Sequence, residues 1–333
     1  MAYSTITGLG FYVPEQIVTN DDLTQFMDTS DAWIQERTGI RQRRYFTYGK
    51  ETNASMAAEA ARMAFQRAGI GPGDVDLIVY ATITPDYFFP GSGFLMQREL
   101  GMEGIGVIDI RDQCSGFVYA LSIGDQFIRS GMYKTILVIG AEIQSSWINK
   151  STEGRGVAVI FGDGAGAAIL QATEDPEHRI LSTHLHADGR FAEDLYVRDP
   201  GSSRPGRAAT KEMVDEGGFD VVMNGNAVFK HAVVRFSEVI QEALQANGYG
   251  PEDISLLVPH QANIRISEYV RQQMNLPEEK VYNNIQQYGN TTAASIPIAL
   301  TEAWEQGRVK PGDLVCLAAF GSGFTWASAL IRW

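Results

Sequence analysis

The stretch Ala64-Phe-Gln-Arg-Ala-Gly-Ile-Gly-Pro-Gly-Asp-Val-Asp-Leu-Ile-Val79 can be set, without a gap, over Ala243-Leu-Gln-Ala-Asn-Gly-Tyr-Gly-Pro-Glu-Asp-Ile-Ser-Leu-Leu-Val258. The offset is 179 residues throughout (64 to 243), with Ala, Gln, Gly, Gly, Pro, Asp, Leu and Val identical in place. Both copies read as a helix, a turn and a buried strand. The same offset sets Ala120-Leu121 over Ala299-Leu300 and places Ala293 opposite Cys114. The two halves therefore read as copies of one α/β unit. Strand–helix alternation implies sheets covered by helices on both faces. The join is expected near Gln171 to Arg179, giving an N-terminal half, 1–172, and a C-terminal half, 173–333.

At 333 residues the chain is long enough for two domains or one duplicated one. No segment is long and apolar enough to span a bilayer, and the amino terminus lacks the basic and apolar regions of a signal peptide. Two cysteines, Cys114 and Cys316, exclude a disulfide framework and fit a reducing cytoplasm. The formal charge of −13 argues against nucleic acid as the main partner. It also requires an acidic partner to dock on a local basic patch.

Around the first copy, Asn53 to Gly69 has the spacing of an amphipathic helix, with Met56, Ala60, Met63, Ala64 and Ala68 on one side. The basic run Ile40-Arg-Gln-Arg-Arg-Tyr-Phe46 reads first as a solvated edge strand. The loop Thr84-Pro-Asp-Tyr-Phe-Phe-Pro-Gly91 holds three consecutive aromatics, which suits packing under the loop or an interface. His186 to Phe219 is the least regular stretch, and a loop that long is usually functional or mobile.

Three residues stand at element ends. Gly106 to Ile110 reads as a strand, and from Ser115 the apolar residues take helical spacing, so Cys114 sits where a strand turns into a helix. Unpaired N–H groups and partial positive charge at a helix start favour a thiolate. A small buried hydrophobe remains the alternative. His260 follows Leu256-Leu-Val-Pro, at the carboxyl end of the second buried strand, where ligand sites gather. A structural role is its alternative. Asn290 follows Gly289 and precedes a helix rich in small residues, which it could cap. Because Cys114 and Ala293 start equivalent helices, pseudo-symmetry can bring Asn290 and His260 to the thiol. A thiolate with two neutral donors suits acyl capture and stabilisation of an enolate oxygen. Phe161-Gly-Asp-Gly-Ala-Gly166 has the wrong spacing for a phosphate loop and reads as tight strand packing.

Asp31-Ala-Trp-Ile-Gln-Glu-Arg-Thr-Gly-Ile40, Phe161-Gly-Asp-Gly-Ala-Gly166, Pro259-His-Gln-Ala-Asn263, Tyr288-Gly-Asn-Thr291 and Phe320-Gly-Ser-Gly-Phe-Thr-Trp326 occur in this order. Together they resemble the motifs of β-ketoacyl-acyl carrier protein synthase III, within the thiolase-fold superfamily. The resemblance spans nearly the whole chain. It implies a five-layered thiolase-like fold and a decarboxylating condensation of an acyl-coenzyme A primer with malonyl-acyl carrier protein. It implies Cys114 as acyl acceptor, with His260 and Asn290 binding the extender thioester, and an oxyanion hole from the backbone N–H groups of Cys114 and Ser322. Trp33, Arg37 and Arg155 match positions that hold coenzyme A. Lys230 and Arg265 match the carrier-protein docking face. Phe89 matches an aromatic that enters the neighbouring subunit's acyl pocket, which implies a homodimer. No metal or redox cofactor is expected, because the thioesters supply the activation.

The chain departs from the usual pattern at Gly321-Ser322-Gly323, where a glycine triplet is common, at Ala327, and in the longer His186 to Phe219 stretch. A side chain at position 322 is tolerable if φ stays negative. The nearest rivals keep the fold and change the substrate, to a longer or aromatic acyl-coenzyme A of secondary metabolism or to acyl transfer onto oxygen or nitrogen. A thiolase would need a second reactive cysteine, and Cys316 reads as part of a buried strand.

Overall fold

The computed structural model describes residues 2–203 and 209–333. Five strands, β1 (Tyr3–Tyr12), β4 (Leu77–Ala81), β5 (Gly106–Ile110), β6 (Thr135–Glu142) and β7 (Gly164–Thr173), form one sheet in the order β1-β7-β6-β4-β5. A ribbon of β2 (Gln16–Thr19) and β3 (Gln42–Tyr45) stands apart from it. Later in the chain, β8 (Arg179–Ala187), β11 (Leu256–Pro259), β12 (Leu314–Gly321) and β13 (Thr325–Arg332) form a second sheet in the order β11-β12-β13-β8. Between them, β9 (Leu195–Val197) pairs with β10 (Val221–Met223).

The two main sheets repeat one topology. β1 and β6 run antiparallel to β7, and β4 runs parallel to β6. Likewise β8 and β12 run antiparallel to β13, and β11 runs parallel to β12. A lone parallel bridge from Leu257 to Val281 stands where the first sheet has β5. The register of the repeat survives in the coordinates. β6 and β12 keep the 179-residue offset at both ends (135 to 314, 142 to 321).

The helices are α1 (Asn20–Leu23), α2 (Asp31–Thr38), α3 (Asn53–Ala68), α4 (Ser92–Glu99), α5 (Gly116–Arg129) and α6 (Arg155–Ala158), then α7 (Lys211–Asp215), α8 (Gly225–Ala246), α9 (Ile264–Gln273), α10 (Ile285–Tyr288) and α11 (Ser295–Glu305). α3 shows how sequence sets these bounds. Thr52 and Ser55 form a reciprocal capping box, and Gly69 ends the helix at φ 68°. Its alanine face lies so close to β1 that a Cβ on Gly10 would sit 2.2 Å from Ala60 O.

Packing produces five layers. Met56 and Ala60 of α3 and Met96 of α4 cover Ile78, Tyr80 and Ile139 on the outer face of the first sheet. Phe117 and Leu121 of α5, with Ile296 and Leu300 of α11, fill the space between Val79 and Val138 of one sheet and Val258 and Leu317 of the other. Phe236 and Ile240 of α8 and Val270 of α9 cover Leu257 and Cys316 on the far face. Cys316 is thus a core side chain.

Two local expectations change. Arg43 in the basic run is fully buried, not solvated. It donates to Asn20 Oδ1 and Val159 O, each at 2.8 Å, because β3 is sandwiched against the segment that leads into β7. The stretch His186 to Phe219 is less irregular than its composition suggests, since it contains the end of β8, all of β9 and α7. Its residues 204–208 lie outside the described residues. The glycines of 162–166 do serve close packing, as expected: a Cβ on Gly162 would lie 2.2 Å from Tyr288 O.

Candidate active site

β5 delivers the chain into a tight turn, Gln113–Ser115, directly before α5. Gln113 has φ 44°, a conformation that costs a side-chain-bearing residue energy and holds only where neighbours enforce it. In the other half Thr292, at the equivalent position (113 to 292), has φ 49° in the turn Thr292–Ala294 before α11. The two turns meet at the centre of the molecule, where a Cβ on Gly116 would lie 3.5 Å from Ala293 Cβ. Gly321 backs the cysteine turn, and a Cβ there would sit 3.0 Å from Cys114 N. Ser322 is not among the described non-glycine residues with positive φ, so its side chain is accommodated. Its hydroxyl donates to Leu195 O at 2.6 Å.

His260 follows the last residue of β11 and is buried. Ser295 Oγ, at the start of α11, lies 2.6 Å from His260 Nδ1 and accepts from the Gln261 N–H at 3.4 Å. Ser295 Oγ still has its own proton to donate to Nδ1. In the tautomer that accepts it, the imidazole proton rests on Nε2. Nε2 is buried and has no partner among the described residues. Burial pushes the imidazole pKa down to about 3, so the ring is neutral at any working pH.

Asn290 does not cap α11, which begins five residues later. Its backbone is stitched to the first half through Asn290 N to Ile160 O and Gly162 N to Asn290 O. Its side-chain Oδ1 accepts from Thr292 N at 2.8 Å, which leaves Nδ2 as the group available to donate. Sequence reasoning missed Ser295 and Gln261. Gln261 locks the loop before Asn290 by accepting from Asn284 N and Ile285 N, at 3.0 and 3.1 Å. Ser295 was findable, since it stands opposite Gly116 in the repeat (116 to 295).

Cys114, His260 and Asn290 all line one narrow cavity of about 160 Å³, walled by Phe229, Phe236, Ile266 and Leu195. Cys114 also lines a second, wider cavity of about 460 Å³, bounded by Ile83, Phe88, Trp147, Phe161, Leu195 and Val221. The thiol therefore stands at the junction of two cavities. The β9 and β10 ribbon borders both.

Near the narrow cavity, Trp33 is flanked by two guanidinium groups, Arg37 at 4.7 Å and Arg155 at 5.2 Å from the ring centre. Asn263, which lines that cavity, donates to Arg37 O at 2.9 Å. So the three residues matched to coenzyme A form one cluster linked to the cavity wall. Lys230 on α8 and Arg265 on α9 are both exposed. Phe89 is 80% exposed at the tip of its loop, and within the chain it is Phe88 that lines the wide cavity.

One electrostatic expectation is corrected. Burial pushes the Cys114 thiol up to about 12, and the Glu142 carboxyl adds to the rise. Desolvation of a buried anion outweighs the field of the helix start, so the resting group is the thiol and not the thiolate. Alkylation of Cys114 by iodoacetamide will therefore climb about tenfold per pH unit from pH 6 to 9. A plateau below pH 8 would show a low-pKa thiol instead.

This is a duplicated α/β fold of the thiolase class, with a cysteine, a histidine and an asparagine at its centre. The family model for 3-oxoacyl-[acyl-carrier-protein] synthase III matches residues 108–189, and its C-terminal companion matches 244–333. β-Ketoacyl-[acyl-carrier-protein] synthase III of Rhodospirillum centenum is 48% identical over 336 residues, covering 99% of each chain. The synthase of the same name from Xanthomonas euvesicatoria pv. vesicatoria is 47% identical over 334 residues, covering 99% of this chain and 98% of its own. The crystal structure of 3-oxoacyl-[acyl-carrier-protein] synthase III from Aquifex aeolicus superposes with a TM-score of 0.90 at 43% identity, over 99% of this chain and 100% of that one. The chain belongs to the β-ketoacyl-acyl carrier protein synthase III family.

Proposed function

We propose that the chain condenses an acyl-coenzyme A primer with malonyl-acyl carrier protein to give a β-ketoacyl-acyl carrier protein, the first condensation of fatty acid synthesis. The observation that carries this reading is the single narrow cavity lined at once by Cys114, His260 and Asn290. The Cys114 sulfur attacks the primer thioester, and its proton leaves on the thiol of coenzyme A. Backbone N–H groups of Cys114 and Ser322 receive the oxyanion. The acyl chain then lies in the wide cavity. The malonyl thioester enters by the narrow cavity, and His260 Nε2–H and Asn290 Nδ2–H donate to its carbonyl oxygen. The carboxylate carbon leaves as carbon dioxide, and its bonding electrons form the enolate. The enolate carbon attacks the acyl-Cys114 carbonyl, and the sulfur departs and regains a proton. A neutral imidazole suits this task, because a donor that keeps its proton stabilises an enolate without quenching it. No step calls for a metal or redox cofactor.

The surface supports the same partners. Trp33, Arg37 and Arg155 would stack and pair with coenzyme A, and Lys230 and Arg265 would meet the acidic carrier protein. β5 is the open edge of its sheet, next to a loop whose Tyr87, Phe88 and Phe89 are 57%, 70% and 80% exposed. An open edge beside an apolar patch suits a twofold pairing of copies, with Phe89 of the partner subunit entering the wide cavity. The halves 1–172 and 173–333 would then supply the nucleophile and the two donors respectively. Two free, buried cysteines suit a cytoplasmic setting, and no described helix is long and apolar enough to cross a membrane.

A second reading keeps the mechanism and changes the primer. The wide cavity, about 460 Å³ before Phe89 of the partner subunit is seated in it, has room for more than an acetyl group, which suits a longer, branched or aromatic acyl chain. A panel of acyl-coenzyme A primers, each followed by malonyl-carrier protein, tests both readings. β-Ketoacyl-carrier protein from short primers supports the first, and product only from long or aromatic ones supports the second. Acyl transfer without carbon dioxide release refutes condensation.

A further inference from the structure

Glu142, the last residue of β6, is fully buried, and the mechanism above gives it no task. Its carboxylate accepts from Thr84 Oγ1 at 2.6 Å, Ile83 N at 3.2 Å and Thr82 Oγ1 at 3.3 Å. Burial pushes the Glu142 carboxyl up to about 8, against the opposing pull of these donors and of the Ala293 N–H. The repeat identifies the place it occupies. Glu142 is the counterpart of Gly321 (142 to 321), and Ala293 is the counterpart of Cys114 (114 to 293). Gly321 lacks a side chain where a Cβ would lie 3.0 Å from Cys114 N, which leaves that N–H open to a substrate oxygen. In the other half a carboxylate side chain fills the corresponding space beside the Ala293 N–H.

The same strand end grips the Thr292–Ala294 turn at two further points. A Cβ on Gly140 would lie 2.4 Å from Ala293 O, so the backbones touch there. Gln144 Nε2 donates to Thr292 Oγ1 at 2.7 Å, with both side chains buried. Thr292 is β-branched with φ 49°, a state that persists only where its surroundings over-determine it. Its N–H is the one that orients the Asn290 carboxamide.

We propose that Glu142 is a positioning residue: its carboxyl group occupies the disused counterpart of the oxyanion hole and, with Gln144, holds the Thr292–Ala294 turn so that Asn290 presents Nδ2 to the extender thioester. This rests on the reading of Asn290 as a donor to that thioester. Glu142→Leu removes the acceptor at similar volume, whereas Glu142→Gln keeps an acceptor oxygen. Each variant is assayed for acylation of Cys114 by intact mass and for carbon dioxide release from malonyl-carrier protein. The ratio of decarboxylation to acylation will fall about 10- to 100-fold in Glu142→Leu, the cost of a misplaced catalytic group, and recover in Glu142→Gln. Gln144→Ala will lower the same ratio, and decides the matter if Glu142→Leu does not fold. An unchanged ratio in the folded variants overturns the proposal. If Asn290→Ala leaves decarboxylation intact, the parent reading falls instead, and that result is seen without touching Glu142.

Discussion

Cys114→Ala will carry no acyl group after incubation with any acyl-coenzyme A, yet will still release carbon dioxide from malonyl-carrier protein. The first half follows because Cys114 is the one thiol lining both cavities, while Cys316 lies in the core beneath α8. Without it the chain has no acceptor for the primer. The second half follows from the proposed mechanism, in which His260 and Asn290 hold the malonyl carbonyl and neither needs the sulfur. Overall condensation should fall by a factor of at least about 10⁴, the scale on which loss of a covalent nucleophile is felt. Intact-mass spectrometry of the variant checks the acyl adduct, and a carbon dioxide assay checks the remainder. An adduct on Cys114→Ala would place the acceptor elsewhere.

His260→Ala and Asn290→Ala will do the reverse: acylation of Cys114 persists and decarboxylation is lost. In the proposed mechanism each removes one of two donors to a developing enolate oxygen, so about 10²–10³ in rate is expected for each. The pair should not be additive, because both donors serve one oxygen. Acidity offers a second check. The His260 ring is held neutral down to about pH 3 by burial, so decarboxylation by the folded enzyme should show no loss from imidazole protonation between pH 5 and 8. A bell-shaped profile with an acidic limb near 6.5 would instead mark His260 as an exposed, titrating base.

How much of this was legible in the sequence depends on how local each signal is. The gap-free repeat carried the architecture, because one register predicts two sheets of the same strand order and two equivalent turns, Gln113–Ser115 and Thr292–Ala294. The placement of Cys114, His260 and Asn290 at element ends was also readable from spacing. What failed was whatever depends on burial by distant segments. Arg43 looked like a solvated edge residue, since nothing near it in sequence reveals the 159–161 segment that covers it. The Cys114 thiol was expected to ionise easily, since a helix start is visible in sequence but the desolvation around it is not. Ser295 was passed over as one small residue among several, although the histidine tautomer depends on it.

In the proposed mechanism one sulfur holds the acyl group which the malonyl carbon then takes. The direct measurement is intact mass of the wild-type protein, first with acyl-coenzyme A and then after malonyl-carrier protein is added, with the modified peptide sequenced. One acyl group per chain is expected, located on the peptide bearing Cys114, and it should disappear with one carbon dioxide released per group. An acyl group on another residue, or one that stays on the enzyme while carbon dioxide is evolved and β-ketoacyl product forms, would contradict that mechanism.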